Sequence, residues 1–210
     1  MKTRNLILAL TGAFVIVGCG GGGTSESPQA VEADTTSKAD TSNITTSNPY
    51  PAPYLSDDDR AVYLQVINDA RSIEQDCGTK GIFSPAPILQ WNEALYSAAY
   101  EHSVDMAESD TFAHEGSGTN SDWTGIESGK KSTSQERIEN NGYSDWTKVG
   151  ENIAAGTLRD TAKEAVNAWL ESDAHCAILM DVRYTDVGMA MVDESDSTYT
   201  YYWTQNFGNR

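Results

Sequence analysis

Two strand-forming runs close the chain and most constrain its fold. "DVGMAMVDE" (186–194) and "STYTYYWTQNFG" (197–208) are rich in residues that favour strands. Only Ser195 and Asp196 separate them, which predicts an antiparallel hairpin. The segments before them have helical patterns without βαβ alternation. The sequence therefore predicts an α+β fold with an antiparallel sheet.

Two long helices are expected ahead of the hairpin. Ser56 is a good N-cap for the first, and apolar spacing extends that helix to Cys77-Gly78. The second begins near Asn92 and has one apolar stripe. That stripe comprises Leu95, Ala98, Ala99, His102 and Met106. His102 is accordingly interpreted as a core residue rather than a ligand.

Three shorter helices follow a loop at residues 109–131 that carries His114. Their starts are marked by capping boxes at Thr133–Glu136 and Thr161–Glu164, and by Ser172. The first of them should end at Asn141-Gly142.

Residues 1–18 have the pattern of a lipoprotein signal peptide. Lys2 and Arg4 precede an apolar run, residues 6–17, that is too short to span a bilayer as a helix. Small residues then lead to Cys19, the expected site of lipidation. A plain secretory signal with an incidental cysteine is the alternative.

Residues 19–54 predict a flexible linker, because they are rich in Gly, Ser and Thr and poor in large apolar groups. Residues 55–210 are enough for one domain with one core. The formal net charge of −17 makes nucleic acid a poor partner, since so acidic a surface repels phosphate backbones.

Cys77 and Cys176 are the remaining cysteines. An exported domain lies in an oxidising compartment, where an even pair favours a disulfide. Two separate buried thiols are the alternative.

Familiar catalytic motifs are absent: His114-Glu115 does not continue into HExxH, and there is no G-x-S-x-G, P-loop lysine motif or C-x-x-C. His114, Glu151 and His175 remain in settings outside the apolar stripes. Two imidazoles and a carboxylate suit a catalytic zinc, a passive metal site or metal-free acid–base chemistry. Spacing alone does not show that the three meet.

From about residue 58 onward the chain resembles the bacterial extracellular branch of the CAP superfamily, also called the SCP domain family. The matching segments come in the family's order. They are "LQWNEALYSAAYEHSVDMA", "FAHEGSG", "RIENNGY", "GENIAAG", "AWLESDAHCAIL", "DVGMAMV" and "YYWTQNFG". The resemblance implies a three-layer α-β-α sandwich with a central antiparallel sheet.

The resemblance also implies a cleft lined by two histidines and two acids. These correspond to His114, Glu151 and His175, with Glu171 as an insecure fourth member because it lies one position early on its helix. Residues 122–131 resemble an insertion that reshapes the cleft rim. A Cys77–Cys176 bridge would pin the His175 segment.

Three functions are compatible with this resemblance, because a fold alone does not fix activity. The first is a lipid-anchored binding module whose cleft takes a divalent metal (Zn, Mg or Ca) and a lipid, peptide or glycan. The second is a metal-assisted hydrolase of peptide or cell-wall polymer, with the same three residues as catalytic groups. The third is a structural, partner-binding envelope protein. A monomer is expected, on the outer membrane if the cell has two.

Overall fold

The computed structural model describes residues 48–210. Its helices are α1 Asp57–Arg71, α2 Glu93–Glu108, α3 Trp123–Ser128, α4 Ser134–Asn140, α5 Ala162–Leu170 and α6 Asp173–Leu179, with a 3-10 turn at Gly78–Lys80. Its strands are β1 Gln75–Asp76, β2 Ile82–Phe83, β3 Gln90–Trp91, β4 Lys148–Ala155, β5 Asp186–Glu194 and β6 Thr200–Asn209. The predicted signal peptide, Cys19 and most of the linker lie outside the described residues.

The central sheet has the strand order β3-β5-β6-β4. The predicted hairpin is confirmed: β5 and β6 pair antiparallel, joined by residues 195–199 rather than by two residues. β4 pairs antiparallel with β6 and forms one edge, whereas the short β3 runs parallel to β5. The sheet is therefore mixed, although its three long strands are antiparallel as expected.

Helices cover both faces of this sheet, which confirms the three-layer sandwich. One face of β5 and β6 contributes Val187, Trp203 and Phe207 to the largest apolar cluster, together with Ile67 of α1 and Trp169 of α5. The other face packs against α2, with clusters centred on Ala99 and Met106. Alternating side chains along each strand thus serve two separate cores.

A glycine sets how closely α2 approaches the sheet. A methyl group on Gly188 of β5 would lie 2.0 Å from the backbone nitrogen of Tyr96 and 2.3 Å from the carbonyl carbon of Leu95. Only a residue without a side chain lets the helix backbone lie directly on the strand. The predicted apolar stripe of α2 is buried in full.

Predicted caps are confirmed at three helices, and Asn92, near which the second helix was expected to begin, also serves as a cap. Ser56 and Asn92 accept backbone N–H groups of α1 and α2, and both capping boxes form, at Thr133 and Thr161. Ser172 precedes α6 but makes no capping hydrogen bond through its side chain.

The first helix ends six residues earlier than the sequence predicts. The carbonyl of Arg71 accepts the N–H of Ala86 at 2.8 Å, so the returning chain takes the place of another helical turn. Ile73, which was expected on the buried stripe, is 59% exposed, so its burial does not favour a longer helix. The predicted loop at 109–131 was wrong in one part, since it contains α3.

The segment before α1 packs against the domain. Ala52 and Leu55 pack against α2, and the Tyr96 hydroxyl donates to the carbonyl of Pro53 at 2.9 Å. Within residues 48–210, no helix is both long and apolar enough to cross a membrane.

Candidate functional site

Glu151 lies at the centre of the candidate site, on the edge strand β4. Its side chain is 2% exposed, and its two carboxylate oxygens have different partners. Oε1 accepts a hydrogen bond from Nδ1 of His114 at 2.9 Å, and Oε2 accepts one from the guanidinium of Arg137 at 2.9 Å. Asn206, directly opposite on β6, donates to Oε2 at 3.3 Å in the amide orientation that satisfies both its polar atoms.

Arg137 keeps this buried carboxylate ionised. Burial by itself would raise the pKa of Glu151, but the guanidinium of Arg137, then the charge that His102 acquires in acid, and then the hydrogen bond from His114 lower it to about 2. His102 also lies 4.0 Å from Oε1. Burial lowers the pKa of His102 to about 4, so that ring is neutral at pH 7 and Arg137 supplies the opposing charge.

The hydrogen bond to Glu151 fixes the tautomer of His114. An ionised carboxylate only accepts, so Nδ1 of His114 carries a proton, and the tautomer that this favours has its lone pair on Nε2. Half of the His114 side chain is exposed (51%). The result is an imidazole held from below by a buried carboxylate, with its basic nitrogen directed away from that carboxylate.

His175 lies beside His114, with ring centroids 6.1 Å apart. It is half-buried on α6, and burial followed by the proximity of His114 lowers its pKa. The structure therefore brings together the three residues that the sequence singled out. Two imidazoles lie at the surface and one carboxylate lies beneath the first.

Several contacts hold α6, and with it His175, in place. Asn152, next to Glu151, donates to the carbonyl of His175 at 3.2 Å. The predicted disulfide is confirmed: Cys77 and Cys176 are bonded, with Cα atoms 5.4 Å apart. Asp173 accepts two hydrogen bonds from Thr79, which ties the start of α6 to the same neighbouring segment.

His102 positions the other imidazole. The sequence assigned it to the core, and it is fully buried on α2. Its Nε2 donates to the carbonyl of Ala113 at 2.9 Å, immediately before His114. Its Nδ1 has no hydrogen-bond partner within residues 48–210. His102 thus fixes the backbone from which His114 projects.

Buried carboxylates on α2 hold the rest of the His114 loop. Asp105 accepts hydrogen bonds from the Ser117 N–H at 2.8 Å and from the Ser121 hydroxyl at 2.8 Å. Glu101 accepts the Thr124 N–H at 2.9 Å, which fastens α3 to α2. The segment that resembles an insertion is therefore part of the packed domain.

Glu171 lies apart from these groups. It is exposed, caps the C-terminus of α5 and lines a surface cavity with residues 156–159. No hydrogen bond in the described part of the chain joins it to His114, Glu151 or His175. Its place in the cleft remains a prediction without a supporting contact.

A divalent metal fits two of the predicted ligands better than three. The described residues contain no group of three His, Cys, Asp or Glu side chains placed to hold a metal ion. Both oxygens of Glu151 are engaged, one by a cation. The imidazoles of His114 and His175 have the donor chemistry of a zinc site, with Glu151 orienting the first.

The model of the cysteine-rich secretory protein family, CAP, matches residues 64–207. The chain belongs to the CAP family. All the residues of the candidate site fall within the matched range. The CAP domain therefore contains His114, Glu151 and His175 in one contiguous fold.

A related sequence is known from a bacterium. An uncharacterized membrane protein of Bacillus subtilis (strain 168), YlbC, is 33% identical over 122 residues, which are 58% of this chain and 29% of that protein. The chain thus spans less than a third of that relative's length.

Solved structures resemble this fold. An outer surface protein from Borrelia burgdorferi has a TM-score of 0.52 and 20% identity, covering 76% of this chain and 98% of that one. An extracellular protein containing a SCP domain from Bacillus anthracis str. Ames has a TM-score of 0.49 and 21% identity, covering 76% of this chain and 45% of that one. The first of these likenesses supports the fold.

The sequence did not reveal Arg137, His102 or Asn206 as members of this site. Arg137 lies beside the buried Ile138 on α4 in a chain with only 14 basic residues, which is the one signal that could have marked it. His102 and Asn206 occupy core positions, and only the tertiary fold brings them to Glu151.

Proposed function

We propose that this CAP domain is an envelope-tethered binding module whose cleft takes a ligand between His114 and His175. The observation that carries this proposal is the state of Glu151. Its carboxylate is buried, ionised and paired with Arg137, so it orients His114 instead of reacting itself. The two imidazoles are then the groups available to a ligand.

A zinc ion is the cofactor that suits this pair. Neutral imidazoles favour zinc over magnesium and calcium, which prefer oxygen ligands. When bound, the ion would supply a Lewis-acid contact for an oxygen or nitrogen atom of the ligand. Glu151 would hold the His114 tautomer, and Asn152 and the disulfide would hold His175 in position.

The same geometry disfavours the hydrolase alternative. Glu151 was the expected base, but a carboxylate whose pKa is about 2 is a weak proton acceptor near neutral pH. Arg137 and His114 already occupy its oxygens. A catalytic zinc normally has three protein ligands, whereas this cleft offers two. A binding role requires neither a stronger base nor a third ligand.

Calorimetry with zinc, magnesium and calcium tests the metal-binding part of the proposal. The protein carries Cys19→Ala so that it stays in solution. We expect zinc binding, lost in His114→Ala and in His175→Ala. Glu151→Gln should weaken it by roughly 10–100-fold, the effect typical of losing a group that orients a metal ligand.

Glu115→Gln is the matched control, because it removes an exposed carboxylate next to His114. Zinc binding should be unchanged in this variant. Equal zinc binding in all the variants would contradict the site.

Incubation with peptidoglycan and a peptide library should give no turnover, and turnover that Glu151→Gln abolishes would favour the hydrolase.

We also propose that a lipid on Cys19 anchors the domain and that the residues between Cys19 and the packed segment at Ala52 form its tether. The signal-like residues 1–18 support this, as does the name of the Bacillus subtilis relative, a membrane protein. Incorporation of a labelled fatty acid should be lost in Cys19→Ala. Equal labelling of both proteins would contradict the anchor.

A further inference from the structure

A second cavity lies on the other side of α6, outside the His114–His175 cleft. Its volume is about 420 Å³, within the range of small-molecule sites. Five side chains form its apolar part: Phe83, Ala174, Ala177, Ile178 and Tyr184. Four charged side chains also line it: Lys80, Lys148, Asp181 and Arg183.

The charge of this cavity is opposite to that of the chain. The sequence has 31 acidic and 14 basic residues, yet three basic residues meet one acidic residue here. Asp181 pairs with Arg183 at 2.6 Å and lies 3.5 Å from the Lys148 ammonium. Lys80 forms no ion pair within the described residues. The lining therefore has a surplus of two positive charges.

Asp173 is the other carboxylate that Lys80 influences, and it lies beside the cavity rather than in its lining. Its pKa is lowered first by hydrogen bonds from Thr79 and only last by Lys80. It is absent from the cavity lining. The carboxylate holds the start of α6 through neutral donors and keeps its negative charge, so it lowers the positive potential near Lys80 from outside the lining.

The apolar wall is fixed before any ligand arrives. Tyr184 is 3% exposed, and its hydroxyl donates to the carbonyl of Val149 at 3.3 Å. A methyl group on Gly150 would lie 2.2 Å from that hydroxyl, so the first glycine of "GENIAAG" makes room for the ring. The Lys148 ammonium lies 5.3 Å from the ring centroid, which places one cation at the edge of the wall.

We propose that this cavity binds a phosphate-bearing amphiphile, with the phosphate among Lys80, Lys148 and Arg183 and the apolar body against α6. A phosphate monoester carries about 1.5–2 negative charges at neutral pH, which matches the surplus of two. A carboxylate would leave one cation unmatched. Lysine and arginine are also the usual partners of phosphate oxygens.

The site is distinct from the proposed metal cleft. Ala174, Ala177 and Ile178 share one face of α6, and His175 is displaced from that face by about 100°. Loss of zinc binding would leave this cavity unchanged. A negative result for zinc binding would therefore not contradict the second site, and a negative result for the second site would not contradict zinc binding.

Titration with octyl phosphate at low salt tests the inference, using the Cys19→Ala protein and calorimetry. We expect saturable binding that Lys80→Gln and Arg183→Gln each weaken about fivefold, as expected for one partly exposed charge contact. Ala177→Trp should abolish binding by filling the cavity. Both charge variants alter exposed side chains, so folding should be retained, and circular dichroism checks it.

Lys163→Gln is the matched control, because that lysine lines a different groove between α1 and α5. Binding that this variant weakens as much as Lys80→Gln would overturn the proposal, as would binding indifferent to Lys80 and Arg183. Equal affinity for 1-octanol would also overturn it.

Competition with inorganic phosphate identifies the source of the ligand. Weak competition supports a lipid-like phosphate, because the alkyl chain then contributes to affinity. Competition at equal affinity supports a site for free phosphate and overturns the amphiphile part. His114→Ala should leave octyl phosphate binding unchanged.

Discussion

Replacement of Arg137 by methionine should destabilise the domain strongly, because it would leave the Glu151 carboxylate buried without a cation. Arg137 is 1% exposed, and its guanidinium also donates to the carbonyls of Ser132 and His114. Methionine has a similar length and no charge, so the change removes these contacts with little loss of volume.

The expected cost is about 4 kcal/mol of unfolding free energy. Two unit charges about 4 Å apart interact by about 4 kcal/mol at an effective dielectric constant of 20. Removal of one partner of a buried ion pair typically costs about 3–5 kcal/mol. Domains of this size have total stabilities of about 5–15 kcal/mol, so Arg137→Met should leave a marginal protein.

Urea unfolding at pH 7 measures this effect for wild type, Arg137→Met, Glu151→Gln and the double variant. The double variant should be more stable than the sum of the single costs predicts, by about 3 kcal/mol, since each single change leaves the other group unpaired. Arg60→Met is the control, because Asp57 and Glu93, the carboxylate partners of Arg60, are exposed and solvent screens both ion pairs. This substitution should shift the urea midpoint little. An Arg137→Met cost no larger than the Arg60→Met cost would refute the reasoning.

Three other changes have expected outcomes of their own. Burial lowers the pKa of His102 from 6.5 to about 4, so the unfolded chain takes up a proton at a higher pH than the folded protein does. The free energy of unfolding should therefore fall as the pH drops from 6.5 towards 4. In a series of urea unfolding midpoints over this pH range, His102→Gln should reduce the fall. Replacing Cys77 and Cys176 by serine should cost about 3–5 kcal/mol of unfolding free energy, and unchanged urea unfolding would contradict that. Gly188→Ala should cost about 2 kcal/mol or more and lower the Tm in a thermal melt, because the new methyl group meets the backbone of Tyr96.

Features encoded by neighbouring residues were predicted well from the sequence. The cap at Ser56 and both capping boxes depend on contacts within four residues, so their signal is local. The hairpin and the disulfide also agree with the structure. The ordered family motifs supplied the three-layer arrangement, which periodicity alone does not specify.

Features that depend on distant contacts were missed. The helix α3 begins where Asp122 accepts the Gly125 N–H and where Glu101 of α2 accepts the Thr124 N–H. Its sequence has no apolar stripe to mark it. The early end of α1 likewise depends on a returning segment, because Ala86 pairs with the carbonyl of Arg71.

The candidate site shows the same division. Sequence patterns selected His114, Glu151 and His175, and the structure brings them together. The patterns gave no reason to add Arg137, which is separated from Glu151 by 14 positions and meets it only when α4 packs beside β4. Without Arg137, a histidine, a glutamate and a histidine suggest three equal ligands.

The pairing with Arg137 changes which chemistry the cleft can offer. A free Glu151 could act as a base or a ligand, and the hydrolase and metal-binding functions would be equally compatible with the same three residues. A Glu151 that is buried and hydrogen-bonded on both oxygens is better placed to orient His114 than to react itself. Under the proposed function, a ligand would therefore contact the His114 and His175 imidazoles. The Arg137→Met variant, in which Glu151 loses its cation, is therefore also the variant in which base chemistry by Glu151 would be easiest to detect.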